Sequence, residues 1–119
     1  MTQKDFVELM NMFPDWGSRY EYIMERCAGL YMPEELIIPE NKIQSCLAQL
    51  YFFVERKPLI KIYACGNNPI SLGLAGIISD IFDGLPSAPV YENINFHTES
   101  GLLSKLSPAR AASLIEMLK

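Results

Sequence analysis

Two short runs dense in branched and aromatic side chains, residues 47–55 and 59–65, stand back to back with only Arg56-Lys57-Pro58 between them. Runs of that kind joined by a polar, proline-containing turn predict two strands of one hairpin. Alternation along the second places Ile60, Ile62 and Ala64 on one face and Leu59, Lys61, Tyr63 and Cys65 on the other. A hairpin alone is at best marginally stable in water, so one face needs a cover. The chain supplies it after Gly66-Asn67-Asn68, where Asn68 suits a helix cap and Pro69 the first helical position. Apolar residues at Ile70, Leu74, Ile77, Ile78 and Ile81 then form one helical face, which runs to about Asp83, stops at Gly84 and is expected to lie over the hairpin. Gly73 and Gly76 on this helix are expected to allow close approach to the sheet.

Helical spacing recurs on both sides. Phe6, Leu9, Met10 and Phe13 mark a first helix over residues 3–13, which Pro14-Asp15 breaks. Asp15 can cap a second helix whose stripe is Tyr20, Ile23, Met24, Cys27 and Leu30. Residues 31–45, with Pro33, Pro39 and several acids, form a long loop, and long loops in small domains are often functional. Residues 84–97 are interrupted by prolines and only partly regular. Ser107-Pro108 starts a last helix with Leu114, Ile115 and Leu118 facing inward. Arg110 falls in its first turn, where a cation opposes the helix dipole. Such local rule-breaking is commoner at functional sites than elsewhere.

Half of the 119 residues are hydrophobic, enough for a real core in one compact domain. A formal net charge of -4 argues against a general nucleic-acid or anionic-membrane surface. The first residues, Met1-Thr2-Gln3-Lys4-Asp5, have no apolar core and carry acid early, unlike a secretory signal. The longest apolar run, residues 72–78, is far below a membrane span. A soluble, cytoplasmic protein is expected. An odd set of three cysteines, Cys27, Cys46 and Cys65, without Cys-x-x-Cys, suggests reduced thiols. With His97 as the single histidine, nothing in the spacing supports a zinc site.

Cys46 differs from the other two. Cys27 belongs to a helical stripe and reads as a small buried hydrophobe, and Cys65 merely closes a strand. Cys46 lies where the polar stretch Asn41-Lys42-Ile43-Gln44-Ser45 gives way to the apolar run that follows it. That junction offers a thiol a dry pocket on a movable segment.

Several short motifs occur in a fixed order: Trp16 with Tyr20-Glu21-Tyr22-Ile23; Asn41-Lys42-Ile43-Gln44-Ser45-Cys46 followed by Gln49-Leu50-Tyr51; Ser71-Leu72-Gly73-Leu74; Asn95-Phe96; and Leu106-Ser107-Pro108-Ala109-Arg110. In these motifs and their spacing the chain resembles the SufE family of sulfur acceptor proteins over nearly all of its length. It departs from the usual family pattern at Ser45, where glycine is usual, at Tyr51, where tryptophan is common, and at Asn67, near a common aspartate. The stretch between Phe96 and Leu102 is also shorter.

The resemblance implies an α+β fold of the SufE/IscU-like kind, a small antiparallel sheet packed against helices, as one domain over residues 1–119. It implies a partner, a pyridoxal-phosphate-dependent cysteine desulfurase (SufS-like) that forms a persulfide on its own cysteine. Cys46 would accept that sulfur, stimulate the desulfurase by clearing it, and relay sulfur to an iron–sulfur scaffold complex. The chain would be a carrier acting with the desulfurase, and the resemblance implies no cofactor or metal of its own. It also places Arg110 near Cys46, where a guanidinium would stabilise a thiolate or persulfide anion. On docking, the loop would swing the thiol into the desulfurase, and its stretch carrying Glu34, Glu35, Glu40 and Lys42 would be part of the contact surface. Two other readings stand beside this one. One is a cysteine hydrolase using Cys46, His97 and an acid. The other is a SufE-like binding module that docks on a desulfurase without carrying sulfur.

Overall fold

In the computed structural model, which describes residues 1–56, 58–86 and 93–119, helices α1 (Gln3–Met12) and α2 (Trp16–Glu25) precede strands β1 (Leu50–Glu55) and β2 (Lys61–Gly66). Helix α3 (Pro69–Phe82) follows, then α4 (Phe96–Glu99), α5 (Leu102–Lys105) and α6 (Pro108–Met117). The strands pair antiparallel, with Leu50 opposite Gly66 and Glu55 opposite Lys61. Both are shorter than the apolar runs that predict them. Residues 47–49 stay outside β1 because the Gln49 N–H is taken by the Asn67 side chain at 3.2 Å. Leu59 instead bridges to Pro86, beyond α3. Lys57, at the expected turn, and residues 87–92 of the expected irregular stretch lie outside the described residues.

The predicted alternation holds: Ile60, Ile62 and Ala64 are buried together with Leu50 and Phe52. The other side of β2 is an edge, and an edge with open N–H groups invites pairing with other chains. Here three N–H groups along that side have acceptors: Leu85 O for Ile60 (2.8 Å), the Asp83 carboxylate for Ile62 (2.9 Å) and Tyr31 O for Ala64 (3.2 Å).

Helix α3 is the centre of the fold. Asn68 caps it, its side-chain oxygen accepting from the N–H groups of Ile70 and Ser71, each at 3.0 Å. Asn68→Ala is expected to lower stability by about 1–2 kcal/mol in chemical denaturation, the usual effect of losing such a cap; an unchanged midpoint would show that water satisfies those groups equally well. Gly84, at φ +87°, ends the helix region in a conformation glycine adopts without strain. Burial on α3 extends beyond the expected stripe to Ala75 and Phe82, while Ile70 is only partly covered.

This wide burial reflects helices on the side opposite the sheet. Gly73 and Gly76 make their close approach to α2 and its end, not to the sheet as expected. A Cβ on Gly73 would collide with the Ile23 carbonyl, and one on Gly76 with that of Arg26. Helix α2 also stops earlier than its stripe suggests. Turn bonds from Cys27 N to Met24 O and Ala28 N to Glu25 O tighten its end. Gly29 at φ +86° then turns the chain, leaving Cys27 and Leu30 beyond the helix. In α6, Leu114 and Met117 point inward with Ser113, whereas Ile115, expected inside, is exposed. The small polar Ser113 hides the true stripe from an apolar reading.

The start of α1 meets the start of α4. The Gln3 side chain donates to Asn93 O and accepts from the N–H groups of Asn95 and Phe96. Phe96, fully buried, packs edge-on against Phe6 and Phe82, with ring centroids 5.5 and 6.1 Å away. Docking of α4 through α6 in this way brings the start of α6 beside the start of α3.

Candidate functional site

Cys46 sits on a tight excursion of the chain. Ile43 N donates to Leu50 O (2.8 Å), closing the excursion at its base, and Cys46 N donates to Ile43 O (3.3 Å), folding it back on itself. One flank is tied to the strand end, where Asn67 N donates to Gln49 O at 3.2 Å in return for the bond from Gln49 N. The other flank is held by Glu116 in the last turn of α6. Its carboxylate accepts from Gln44 N (2.9 Å), Ser45 N (3.0 Å) and the Ser45 hydroxyl (2.6 Å). Partial burial works against the charge on Glu116, but the hydrogen bonds from Ser45 and Gln44 outweigh it and hold the carboxyl below the usual glutamate range. The clasp is therefore charged at neutral pH and is lost only as pH falls through that lowered value.

The thiol is partly buried and faces a cavity of about 380 Å³. Cys46 Sγ lies 3.7 Å from Ser71 Oγ on the first turn of α3. The opposite wall is the start of α6, with Ser107, Arg110 and Ser113. Leu47, beside the thiol, is 94% exposed, so an apolar side chain marks the cavity rim.

Two helices thus begin at one cavity, and the positive ends of both dipoles favour an anion there. Their first-turn N–H groups are engaged by the caps, Asn68 Oδ1 on α3 and Ser107 Oγ on α6. The helix ends accordingly act through their field more than as open donors. Arg110 adds a full charge, and its guanidinium makes no hydrogen bond or ion pair among the described residues. Among the described residues no carboxylate lines the cavity, and Glu116 grips the turn from another side. The Cys46 thiol, the Arg110 guanidinium and the starts of two helices thus border one cavity.

Both residues singled out in the sequence, Cys46 and Arg110, therefore line one cavity although 64 positions separate them. His97 does not line it. It lies on α4 against Phe96, where burial pushes its imidazole below the usual histidine range. The thiol–imidazole pair of a cysteine hydrolase is not assembled among the described residues. Cys65 faces the Met32 sulfur at 3.8 Å, and burial pushes its thiol up. No cluster of three metal-ligating His, Cys, Asp or Glu side chains occurs among the described residues.

Sequence reasoning missed Ser71, Ser113 and above all Glu116. A signal for Glu116 was present. An acid in the last turn of a helix opposes the dipole as a cation in the first turn does. Helix α6 carries both inversions: Arg110 lines the cavity, and Glu116 grips the turn that bears Cys46.

A family model for SufE, described as an Fe-S metabolism associated domain, matches residues 4–119. The chain belongs to the SufE family. Membership places it in iron–sulfur metabolism. This SufE-family chain is 28% identical to an uncharacterized SufE-like protein of Rhizobium meliloti (strain 1021), across 100% of its own length and 91% of the relative. Its fold also resembles the solution structure of a hypothetical protein from Thermus thermophilus. The TM-score is 0.81 over 99% of this chain and 90% of that one, at 19% identity, which bears on the fold alone. The α+β architecture expected of a SufE-like chain is thus present. No helix among the described residues is long and apolar enough to cross a membrane.

At Ser45, where the family usually has glycine, this SufE-family chain has a hydroxyl that donates to Glu116 at 2.6 Å. The substitution adds a charge-assisted hydrogen bond beside the thiol, a bond that glycine cannot make.

Proposed function

We propose that this protein is a sulfur acceptor that takes persulfide sulfur from a pyridoxal-phosphate-dependent cysteine desulfurase onto Cys46 and relays it for iron–sulfur cluster assembly. The observation that carries this reading is the meeting in one cavity of Cys46 with an Arg110 guanidinium that is unpaired among the described residues, none of whose carboxylates lines that cavity. In the transfer, the Cys46 thiolate attacks the outer sulfur of the partner's persulfide. A new S–S bond forms on Cys46, the partner's S–S bond breaks, and its cysteine leaves as a thiolate. The exchange conserves sulfane sulfur and needs no external oxidant. Arg110 and the two helix ends favour the negative charge of the attacking thiolate and of the persulfide product. Exposed Leu47 gives the docking face an apolar contact next to the reacting atom. Clearing the persulfide frees the desulfurase for its next turnover, and an iron–sulfur scaffold complex fits as the downstream recipient.

The test is incubation with a cysteine desulfurase, its pyridoxal phosphate and cysteine, followed by intact-mass measurement and peptide mapping. A reductant-labile extra sulfur atom on the Cys46 peptide is the expected result. Sulfur found solely on Cys27 or Cys65, or none with any desulfurase tried, overturns the reading. Arg110→Ala is expected to slow loading about tenfold, with Arg110→Lys in between, since lysine keeps the charge but not the planar fork. The fold should survive, because the Arg110 guanidinium holds no partner among the described residues. Rates equal to wild type in both variants would remove Arg110 from the mechanism.

A further inference from the structure

We infer that Glu116 is a positioning residue that holds the Cys46 turn closed over the cavity, and that release of its grip on Ser45 and Gln44 is the step that lets the thiol reach out. This inference rests on the acceptor reading above and concerns how the same site opens.

The grip is concentrated and has an evident point of release. Three donors from adjacent residues, Gln44 N, Ser45 N and Ser45 Oγ, converge on a single carboxylate. Hydrogen bonds to an ionised acceptor are roughly twice as strong as neutral ones. The anchored residues immediately precede Cys46, so their position fixes where Sγ points, here 3.7 Å from Ser71 Oγ. The base of the excursion is tied separately by Ile43 N to Leu50 O and by the Asn67–Gln49 pair. Breaking the Glu116 bonds would leave the turn with its longer bond from Cys46 N to Ile43 O, 3.3 Å, while β1 and β2 stay registered.

A partly buried thiol turned toward Ser71 is badly placed to attack a sulfur atom held by another protein. The reacting form is then an opened state, and apparent affinity for the partner is reduced by the fraction of molecules that are open. Weakening the clasp raises that fraction. Glu116 is not one of the residues that line the cavity and its bonds go to Gln44 and Ser45, so it acts through the turn and is not a catalytic residue.

The test needs no desulfurase in its first arm. Iodoacetamide labelling of the three cysteines is followed by peptide mapping in wild type, Glu116→Ala, Glu116→Gln and Ser45→Ala. Cys46 is expected to label about tenfold faster in Glu116→Ala and less so in Glu116→Gln, with Cys27 and Cys65 unchanged. Ser45→Ala removes the 2.6 Å bond but leaves the Glu116 charge in place, so faster labelling there reports release of the turn and not a changed field at sulfur. If Glu116→Ala loosens the whole fold, Cys27 and Cys65 will also label faster, and Glu116→Gln and Ser45→Ala decide. Cys46 rates within about twofold of wild type in both of those variants overturn the inference. In the second arm, stimulation of a desulfurase should reach half-maximum at lower concentrations of Ser45→Ala than of wild type, with the same plateau. A lower plateau with an unchanged midpoint also overturns it. If wild type takes up no sulfur while the labelling pattern appears, the acceptor reading fails and the clasp stands.

Discussion

Cys46→Ser is expected to reduce persulfide loading to background and to abolish stimulation of the desulfurase, while leaving the melting temperature essentially unchanged. Serine is close to cysteine in size, and its hydroxyl can make the contact that Sγ makes with Ser71 Oγ at 3.7 Å. Cys46 is a free thiol, so no cross-link is lost. What disappears is chemistry. A serine hydroxyl is not ionised near neutral pH and does not carry sulfane sulfur, so Arg110 and the helix ends have no anion to stabilise. Cys27→Ser and Cys65→Ser should load normally. Cys65 in particular is a poor substitute, because burial pushes its thiol up and leaves less thiolate. Two results would sink this account. Full loading of Cys46→Ser, with the sulfur mapped to Cys27 or Cys65, would move the acceptor role. Undiminished stimulation without loading would instead mark a docking module that activates the desulfurase by contact.

A fold that tolerates loss of the thiol owes its stability to elements written elsewhere in the chain. The hairpin and its covering helix were legible because alternation and capping are local. Ile60, Ile62 and Ala64 fall inside as period two requires, and Asn68-Pro69 starts α3 as cap and first residue. Where the reading failed, the deciding interaction was distant in sequence. Nothing near residue 49 announces that its N–H is claimed by Asn67 instead of a strand partner. Nor does the sequence near Gly73 reveal that α2, and not the sheet, is what comes close. Ile115 misled because apolar character was the only guide, whereas the small Ser113 holds the inward place.

The site divides in the same way. Cys46 stood out by its junction and Arg110 by its wrong-signed place in the first turn, so both were legible one residue at a time. That they share a cavity depends on how α6 docks beside α3, which follows from contacts as remote as Gln3 with Phe96. Glu116 escaped notice because its role exists only once the Cys46 turn is folded onto α6. The inverted charge it brings to the end of that helix was the available clue.

The largest effect on stability is expected at Gly76→Ala, with Gly73→Ala close behind. In an exposed helix the change from glycine to alanine stabilises by up to about 1 kcal/mol, because alanine has the better helix propensity. Here the added methyl would overlap the Arg26 carbonyl carbon and oxygen at position 76, or those of Ile23 at position 73. Backbone cannot rotate aside as the end of a flexible side chain can, so α3 and the end of α2 must separate. Separation opens gaps beside fully buried Ile23, Leu74 and Ile77 and forfeits their contacts. Overpacking of this kind costs roughly 1–3 kcal/mol, occasionally more, and moving a whole helix belongs at the upper end. A net loss of about 2–4 kcal/mol is expected, large against the roughly 5–15 kcal/mol that holds a typical domain together. Gly17→Ala is the matched control. It lies on α2, and its nearest neighbour would be Asp15 Oδ1 at 3.3 Å, a side-chain atom that caps the helix and needs to give by only a few tenths of an ångström. Urea denaturation of the three variants should leave Gly17→Ala within about 0.5 kcal/mol of wild type and move the other two far below it. If Gly76→Ala proved as stable as Gly17→Ala, the close crossing of α2 and α3 would be wrong. Because that crossing positions the start of α3, the placement of Ser71 beside Cys46 would fall with it.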